Sequence, residues 1–276
     1  VGSELSITRR PITLTANNRR KTYGDSLTLG TTAFRLSSGN TAFNEEVTGV
    51  TLSSASNVAG DVSANAGDYT DNITITSAVG SAGFKASNYA ITYAAGDLTI
   101  DPLAITVTAE NATKIYGNLD PSLTYTTSVE LVTGDDFNGG LRRESGENVG
   151  TYAIGRNDLT IADGNDGKNY EITFVGSDLS ITQRPITLTA VSASKTYGDS
   201  DPILAVSLTD GTLGSASVSD SLFDVSGRIT RQAGQNAGVY DIVLGTGSKA
   251  GNYEITFETD NNAFEIERAR LSLLGN

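Results

Sequence analysis

The sequence predicts an all-β protein, arranged as an elongated tandem array of three small β-sandwich-like modules. The same motifs occur in the same order three times along the 276 residues, which places the modules at 11–101, 102–184 and 185–270. Apolar and polar residues alternate with the period of half-buried strands, and 30 glycines supply turns between them. Helical periodicity never exceeds about two turns. The alternative is a β-grasp-like module with one short helix, for which VELVTGDDF in the second module is the best segment.

Each module opens with an alternating strand that runs into a Lys-x-Tyr-Gly turn. The three copies read PITLTANNRRKTYGD, LAITVTAENATKIYGN and PITLTAVSASKTYGD. In the first copy Ile12, Leu14 and Ala16 share one face of the strand, and two threonines share the other. We interpret the turn structurally: the tyrosine anchors the strand end, the glycine adopts positive φ, and the Asp or Asn side chain closes the turn. Pro121 and Pro202 occupy a position after the turn that the first module has lost.

Two further signatures follow in every module. The first reads NAGDYTDNITI, NVGTYAIG or NAGVYDIVLG, and the second reads SNYAITYAAGDLTI, KNYEITFVGSDLSI or GNYEITFETDNNAFEI. Nine of the eleven tyrosines occupy three aligned sets: Tyr23, Tyr116 and Tyr197; Tyr69, Tyr152 and Tyr240; Tyr89, Tyr170 and Tyr253. A residue placed identically in every repeat is explained by the fold more simply than by one local activity. We expect an antiparallel two-sheet sandwich of six or seven strands per module.

The junctions between modules are short. The closing DLTI of the first module meets the opening LAITVTA of the second across Asp-Pro, and DLSI meets ITLTA across TQRP. Proline restricts its own backbone and that of the preceding residue, whereas flexible linkers are longer and rich in Gly and Ser. We therefore expect a semi-rigid rod. Residues 1–10 resemble the end of a preceding module, and residues 271–276 resemble the start of a following one.

The composition of the chain excludes several classes of function. A formal net charge of −13 is the opposite of the Lys/Arg excess with which proteins bind nucleic acids and anionic membranes, and the longest apolar run is far too short to cross a bilayer. The absence of Cys and His rules out disulfides, thiolate nucleophiles, histidine bases and His/Cys zinc sites. We predict no nucleic-acid partner, no membrane insertion by this segment and no enzymatic activity.

Three motifs with catalytic potential have simpler structural explanations. Lys-x-Tyr-Gly-Asp could form an acid–base pair, but its repetition favours a turn. The adjacent or close acids Asp135/Asp136 and Glu144/Glu147 could flank a sugar, but such acids in loops are usually solvated turn residues. The SASK segment at Ser192–Lys195 lacks the helix start and the companion motifs that a Ser-x-x-Lys nucleophile needs.

Four residues remain as candidates for ligand binding. Asp163 and Asp166 lie in the glycine-rich loop ADGNDGKNY and could supply oxygen ligands to calcium, although the corresponding loops of the other modules lack these carboxylates. Tyr93 and Tyr125 stand outside the aligned tyrosine sets and could offer platforms for a sugar. The repeated Lys and Asn residues also raise the hypothesis of a Lys–Asn isopeptide cross-link, which would lower the intact mass.

The signatures ITLTA…KTYGD, NVGTYAI and NYEITF…LSIT resemble the MBG domain of the YGX type, effectively over 11–270. The resemblance implies tandem modules of very large exported bacterial adhesins, including filamentous-haemagglutinin-like proteins of two-partner secretion systems. It implies an extracellular location, at the bacterial cell surface or secreted into a biofilm matrix, and a stalk that projects a distal binding domain.

The same resemblance implies no catalytic residue and no cofactor. The implied partners are neighbouring modules of the same chain, together with polysaccharide or other cell-surface fibres. The alternative function is that of a carbohydrate-binding module for exopolysaccharide or host glycans. Exposed aromatic side chains would favour that alternative, whereas tyrosines committed to the fold would favour the stalk.

Overall fold

A computed structural model describes residues 4–81, 83–259 and 263–272 of the chain, and strands dominate it. The all-β prediction is confirmed. Within these residues the first module forms seven strands: β1 (Arg10–Ala16), β2 (Arg19–Thr22), β3 (Phe34–Gly39), β4 (Glu46–Ser54), β5 (Gly67–Ser81), β6 (Tyr89–Ala94) and β7 (Gly96–Asp101). Two short 3-10 helices, Ala55–Asn57 and Ala86–Asn88, interrupt this series.

The second and third modules contain more strands than the six or seven expected, because several of them are only two or three residues long. The described residues of the second module form β8 (Leu103–Ala109), β9 (Ala112–Ile115), β10 (Tyr125–Thr127), β11 (Asp136–Asn138), β12 (Arg142–Arg143), β13 (Gly150–Gly155), β14 (Thr160–Ala162), β15 (Tyr170–Val175) and β16 (Ser177–Thr182). Those of the third form β17 (Arg184–Ala190), β18 (Ala193–Thr196), β19 (Val206–Asp210), α1 (Leu222–Ser226), β20 (Thr230–Arg231), β21 (Gly238–Tyr240), β22 (Ile242–Val243), a 3-10 helix (Ala250–Asn252), β23 (Tyr253–Glu258) and β24 (Phe264–Glu267).

In every module the opening and closing segments lie side by side and run parallel. β1 pairs with β6 over six residue pairs, and β2 pairs with β7 over four. The pairs β8/β15 and β9/β16 repeat this pattern, as do β17/β23 and β18/β24. We call each such pair of segments a ribbon. The prediction of a wholly antiparallel sandwich is wrong here, because period-two alternation assigns the faces of a strand but carries no information about its direction.

Each ribbon passes from a three-stranded sheet into a second sheet of the same module. In the first module the sheet orders are β3-β1-β6 and β2-β7-β5-β4. The second module forms the orders β10-β8-β15, β12-β13-β16-β9 and β11-β14, and the third forms β19-β17-β23, β18-β24-β21 and β20-β22. The inward face of the ribbon is the one that the alternation predicted: Ile12, Leu14 and Ala16 are at most 2% exposed.

The chain divides into two compact units, and the division falls within the second module. The first unit comprises Val1–Thr108, Thr126–Gly140 and Asn157–Val175, and the second comprises Ala109–Tyr125, Leu141–Arg156 and Gly176–Asn276. A single hydrophobic core in the first unit includes Leu98 and Ile100 of the first module with Ile105, Ile161 and Tyr170 of the second. Part of each neighbouring module therefore completes the core of the other.

The α-helix forms in the third module, and the prediction of a helical turn at VELVTGDDF is wrong. That segment holds a turn in which Gly134 has a φ of +105°, and it leads directly into β11. In α1, by contrast, Ser221 and Asp224 form a capping box: the Asp224 N–H donates to Ser221 Oγ, and the Ser221 N–H donates to Asp224 Oδ2. Among the described residues, no helix has the length and apolar character needed to cross a bilayer.

The links between modules are as short as predicted. One residue, Pro102, separates β7 from β8, and one residue, Gln183, separates β16 from β17. Residues 4–9 form no strand, and Leu5 and Ile7 are exposed although they align with buried residues of β16. The assignments of residues 1–10 and 271–276 to neighbouring modules stay predictions, and residues 1–3 and 273–276 lie outside the described part of the chain.

A buried lysine lies at the end of each ribbon, in the Lys-x-Tyr-Gly motif. Lys114 Nζ contacts Asp120 and Glu147, each at 2.6 Å, and Lys195 Nζ contacts Asp201 at 2.7 Å. Asp120 and Asp201 are the acids that precede the two repeated prolines. The first module lacks this Asp-Pro step, and Lys21 instead donates to backbone carbonyls, including that of Val58 at 2.9 Å. The sequence departure of the first module therefore has a direct structural counterpart.

These ion pairs make the stability of the second unit sensitive to acid. Hydrogen bonds from Arg231 and then from Lys195 lower the pKa of Asp201 to about 2. An unfolded aspartate titrates near pH 3.9, so the stabilisation is present above about pH 4 and is lost as the pH falls towards about 2. Glu147 and Asp120 also have lowered pKa values, Glu147 in spite of its burial.

We predict that Asp201→Asn lowers the melting temperature at neutral pH and makes its decline below about pH 4 shallower. The measurement is thermal unfolding across that pH range. Asp166→Asn is the control, because Asp166 forms only an exposed pair with Lys168 at 3.7 Å. Identical acid profiles for the wild type and Asp201→Asn would contradict the prediction.

Candidate functional site at the module junction

The Lys-x-Tyr-Gly motif forms the same tight turn three times. The backbone N–H of Tyr23 donates to Asp101 O at 2.8 Å, and that of Asp25 donates to Thr22 O at 3.0 Å. Gly24 has a φ of +90°, as the turn interpretation requires. The predicted role of the Asx side chain is wrong in detail, because the backbone N–H of Asp25 closes the turn. The turns at Tyr116 and Tyr197 repeat these bonds.

The first junction centres on the carboxylate of Asp135. Its Oδ2 accepts hydrogen bonds from the hydroxyls of Tyr23, at 2.8 Å, and Tyr170, at 2.6 Å. The Tyr170 hydroxyl accepts in turn from the backbone N–H of Val132 at 2.8 Å. The two rings meet edge to face with centroids 5.4 Å apart. Tyr23 belongs to the first module and the other residues to the second, so this cluster joins the two modules.

The second junction reproduces the first with different residues. Asp220 Oδ2 accepts from the hydroxyls of Tyr116, at 2.9 Å, and Tyr253, at 2.7 Å. The Tyr253 hydroxyl accepts from the N–H of Gly214 at 2.8 Å, and the ring centroids are again 5.4 Å apart. Because the arrangement recurs between the second and third modules, it is a property of the repeat.

Repeated asparagines form a second contact across each junction. Asn169, which precedes Tyr170, accepts from the N–H of Ala66 at 2.8 Å and donates to Asn65 Oδ1 at 3.1 Å. Asn252, which precedes Tyr253, makes the same two bonds to the second module, to Val149 and Asn148. The Asn-Ala/Val-Gly signature of one module therefore recognises the Asn-Tyr signature of the next.

One aligned set of tyrosines stabilises the loop that carries the Asn-Ala/Val-Gly signature in each module. The hydroxyls of Tyr69, Tyr152 and Tyr240 each donate to the carbonyl oxygen four residues earlier, at 2.7–2.8 Å. Tyr89, in the first module, is buried and its hydroxyl donates to Glu45 Oε2 at 2.5 Å, so eight of the nine aligned tyrosines have a role in the fold or in a junction. Tyr197, the ninth, lies in the turn of the third module and is 54% exposed.

The glycine of the turn brings the modules into close contact. A Cβ atom added to Gly24 would lie 3.0 Å from Val132, and one added to Gly117 would lie 2.9 Å from Val218, both in the next module. At Gly198, in the third module, an added Cβ would meet nothing within 4 Å. The first two glycines are therefore constrained by packing as well as by their backbone conformation.

The electrostatics of the cluster require neutral phenols. Burial raises the pKa of Tyr23 and of Tyr116 to about 12, and the hydrogen bond to Asp135 or Asp220 acts in the same direction. Burial and the same carboxylates raise the pKa of Tyr170 and Tyr253 as well. Because both hydroxyls must donate to one carboxylate, these tyrosines serve as hydrogen-bond donors. The acid–base interpretation of the motif needs a lowered lysine pKa, which the copies do not share: burial lowers the pKa of Lys21, whereas hydrogen bonds to Asp120 and Glu147 raise the pKa of Lys114 in spite of its burial.

Sequence reasoning missed the central residue of the site. The sequence presents Asp135 only as one of two adjacent acids and predicts a solvated turn residue, whereas its carboxylate accepts hydrogen bonds from two buried tyrosines. The partners lie 35 residues apart within the second module and 112 residues apart across the junction, against 33 and 104 for Asp220. These separations differ, so no fixed spacing marks the carboxylate. The one signal in the sequence is an acid near the middle of the segment between the tyrosine turn and the Asn-Ala/Val-Gly signature of the second and third modules.

The two calcium candidates occupy different environments. Asp163 is buried, and its Oδ1 accepts from the N–H groups of Asn165 and Gly167 while its Oδ2 accepts from that of Asn169. It therefore organises the loop that presents Asn169 to the junction. The Asp166 side chain is 91% exposed. Within the described residues, no group of three or more acidic side chains is placed to hold a metal ion.

The candidate sugar platforms and the cross-link can also be placed. Tyr93 lies in β6 and is 37% exposed, and Tyr125 begins β10 and is half-buried. They belong to different compact units.

The buried Lys114 faces carboxylates, and although burial lowers its pKa, the hydrogen bonds of Asp120 and Glu147 raise it overall. A charged amine is a poor nucleophile, so this environment opposes amide formation at Lys114.

We predict that Tyr23→Phe destabilises the first unit by about 1.5–3 kcal/mol, the range for a hydrogen bond to a charged group. The ring and its packing remain, so only the bond to Asp135 is lost. The measurement is urea-induced unfolding. Tyr197→Phe is the matched control in the same motif and should change stability by less than about 0.5 kcal/mol. Equal effects of the two substitutions would contradict the assignment.

We also predict that stability falls as the pH rises from about 10 to about 12. The folded pKa of Tyr23 and Tyr116 lies near 12 and that of an unfolded tyrosine near 10, so their contribution is present below pH 10 and lost above it. Tyrosinate absorbance should show one group of tyrosines that ionises only as circular dichroism reports unfolding. Ionisation of all tyrosines before any unfolding would disprove the buried cluster.

The chain matches the family model of the MBG domain (YGX type) three times, over residues 12–99, 105–180 and 186–264. These matches cover most of the chain, and each lies within one of the three modules defined from the sequence. Comparison with curated proteins gave no match. The chain therefore belongs to the MBG domain (YGX type) family and consists of three such domains in tandem.

Proposed function

We propose that this three-domain region is the stalk, or extender, of a bacterial cell-surface or biofilm-matrix adhesin and projects a distal binding domain. The observation that carries the proposal is the junction, where a one-residue link and a buried tyrosine–carboxylate cluster connect successive domains. A spacer acts by keeping its domains connected in a fixed succession. It therefore requires residues that join one domain to the next.

The residue usage of the chain supports the same proposal. The aligned lysines of the turns, most of the tyrosines and the paired asparagines serve the fold or the junctions, which leaves few of them for catalysis or for ligand binding. The absence of Cys suits export as an unfolded chain, as expected for two-partner secretion. We place the region outside the cell, and its partners are neighbouring domains together with polysaccharide or other surface fibres.

Carbohydrate binding is the second candidate, and one observation favours it. A surface cleft of about 740 Å³ in the third module is lined by Phe223, Ile203, Gln232 and Gln235, among others. Phe223 is 69% exposed, so its ring could serve as a platform for a sugar, and the cleft has the size and the mixed apolar and polar lining of small-molecule sites. Neither Tyr93 nor Tyr125 lines this cleft.

Small-angle scattering tests the stalk proposal. We expect the chain to scatter as an elongated, semi-rigid particle, which is the shape that a stalk requires. Scattering typical of a compact globule or of a freely jointed chain would contradict the stalk proposal.

A glycan array separates the two candidates. We expect no binding at micromolar concentrations if the region is a spacer. Binding that is lost in Phe223→Ala, but kept in the control Tyr93→Ala, would instead support a sugar site in the cleft.

A further inference from the structure

We infer that each domain is a mechanical clamp, which resists tension applied along the chain. The biological use of the clamp rests on the proposed stalk function. The resistance itself follows from the direction of the ribbon strands and from where the chain enters and leaves each domain. A stalk that connects a surface to a bound partner carries such tension whenever the two are pulled apart.

The chain enters and leaves a domain at opposite ends of its ribbon. In the first domain Arg10 pairs with Tyr89 at one end, and Thr22 pairs with Asp101 at the other. Tension therefore pulls the opening segment towards its N-terminal end and the closing segment towards its C-terminal end. Because the two segments run parallel, they are sheared along their common axis, and the hydrogen bonds of the ladder share the load. Strands peeled apart from one end would instead lose their bonds one at a time.

The same geometry occurs in all three domains. Every ribbon has six residue pairs in its first part and four in its second. Pro102 and Gln183 connect the end of one ribbon to the start of the next, so tension passes from clamp to clamp through a single residue. The strands β3, β4 and β5 lie in the chain between the two loaded segments of the first domain. They are outside the path along which tension is transmitted.

Side chains bridge the point where a ribbon changes sheet. Asn18 Oδ1 accepts from the N–H of Asp97 at 3.0 Å, and Asn18 Nδ2 donates to Asp97 Oδ2 at 3.3 Å. In the second domain Asn111 Oδ1 accepts from the N–H of Asp178 at 3.2 Å. Three residues of the opening segment, 16–18 in the first domain and 109–111 in the second, have no ladder partner across the ribbon here, and the asparagine supplies the missing connection.

One face of the ribbon is closed to water. Leu14, Leu98 and Ile100 are at most 1% exposed, and Leu179 and Leu188 hold equivalent positions at 0%. A backbone group whose partner is pulled away must therefore remain unpaired until the core itself opens, which raises the barrier to rupture. Forced unfolding is governed by that barrier and not by equilibrium stability.

The test compares two directions of pull on one domain in the intact chain. The chain has no native Cys, so two introduced cysteines define the points of attachment. Arg9→Cys with Pro102→Cys loads the first domain in shear, and Arg9→Cys with Asn88→Cys peels β1 from β6. All three positions are exposed, and one is common to both variants. Equal melting temperatures of the two variants establish that only the geometry of loading differs.

We expect a several-fold higher rupture force in shear than in peeling at the same pulling speed. The shear event should release roughly 300 Å of chain, at about 3.5 Å per residue, which identifies it as unfolding of the first domain. Equal forces in the two directions would overturn the clamp. That result would leave the stalk proposal standing, because the scattering experiment tests it separately.

Asn18→Ala provides a second, milder test. It should lower the shear force and leave the peeling force unchanged, because peeling starts at the Arg10–Tyr89 end, where Asn18 bears no load. Thr51→Ala is the matched control: it removes a hydrogen bond between β4 and β5, to Ser77 at 2.7 Å, off the path of the tension. Equal losses of shear force in both variants would overturn the role given to Asn18.

Discussion

A carboxylate that accepts hydrogen bonds from two buried tyrosine hydroxyls holds successive domains together, and several of the repeated residues of the chain serve this contact. Burying the four tyrosine hydroxyls without a partner would be costly, and short hydrogen bonds of 2.6–2.9 Å to the half-buried carboxylates of Asp135 and Asp220 offset that cost. The glycine of the turn permits the close approach, and the neighbouring asparagines supply the second contact. The three sequence signatures therefore belong to one structural device, which is divided between two domains.

Because the contact lies between domains, the repeat in the sequence and the compact unit in space differ. The core of the first unit combines Leu98 and Ile100 of one domain with Ile105 and Tyr170 of the next. In repeat proteins, such interfaces supply part of the stability of every unit. A substitution at Tyr23 therefore affects two domains, whereas the same substitution at Tyr197 affects one. The position of a residue in the array matters as much as its motif.

The array is tolerant of change away from these contacts. The first domain has lost the Asp-Pro step, and Lys21 is satisfied by backbone carbonyls where Lys114 and Lys195 use carboxylates. The third domain places the helix α1 between Asp220 and Arg231, where the second has the short strand β11 between Asp135 and Arg143. Both differences lie in the segment between the tyrosine turn and the Asn-Ala/Val-Gly signature, outside the two segments that form the ribbon. Parallel pairing and junction chemistry are kept while the intervening loops differ.

The sequence alone determined the number of domains, the strand faces and the turn chemistry. Alternation buries Ile12, Leu14 and Ala16, and a motif that needs positive φ requires a glycine such as Gly24; both signals are local. Only the tertiary structure decided that the ribbon strands run parallel and that Asp135 joins two domains. Alternation has the same period in either direction, and the Tyr23–Asp135 contact spans 112 residues while its counterpart spans 104. Local patterns contain neither the direction in which two strands pair nor the partner of a distant residue, because both arise only when the chain packs against itself.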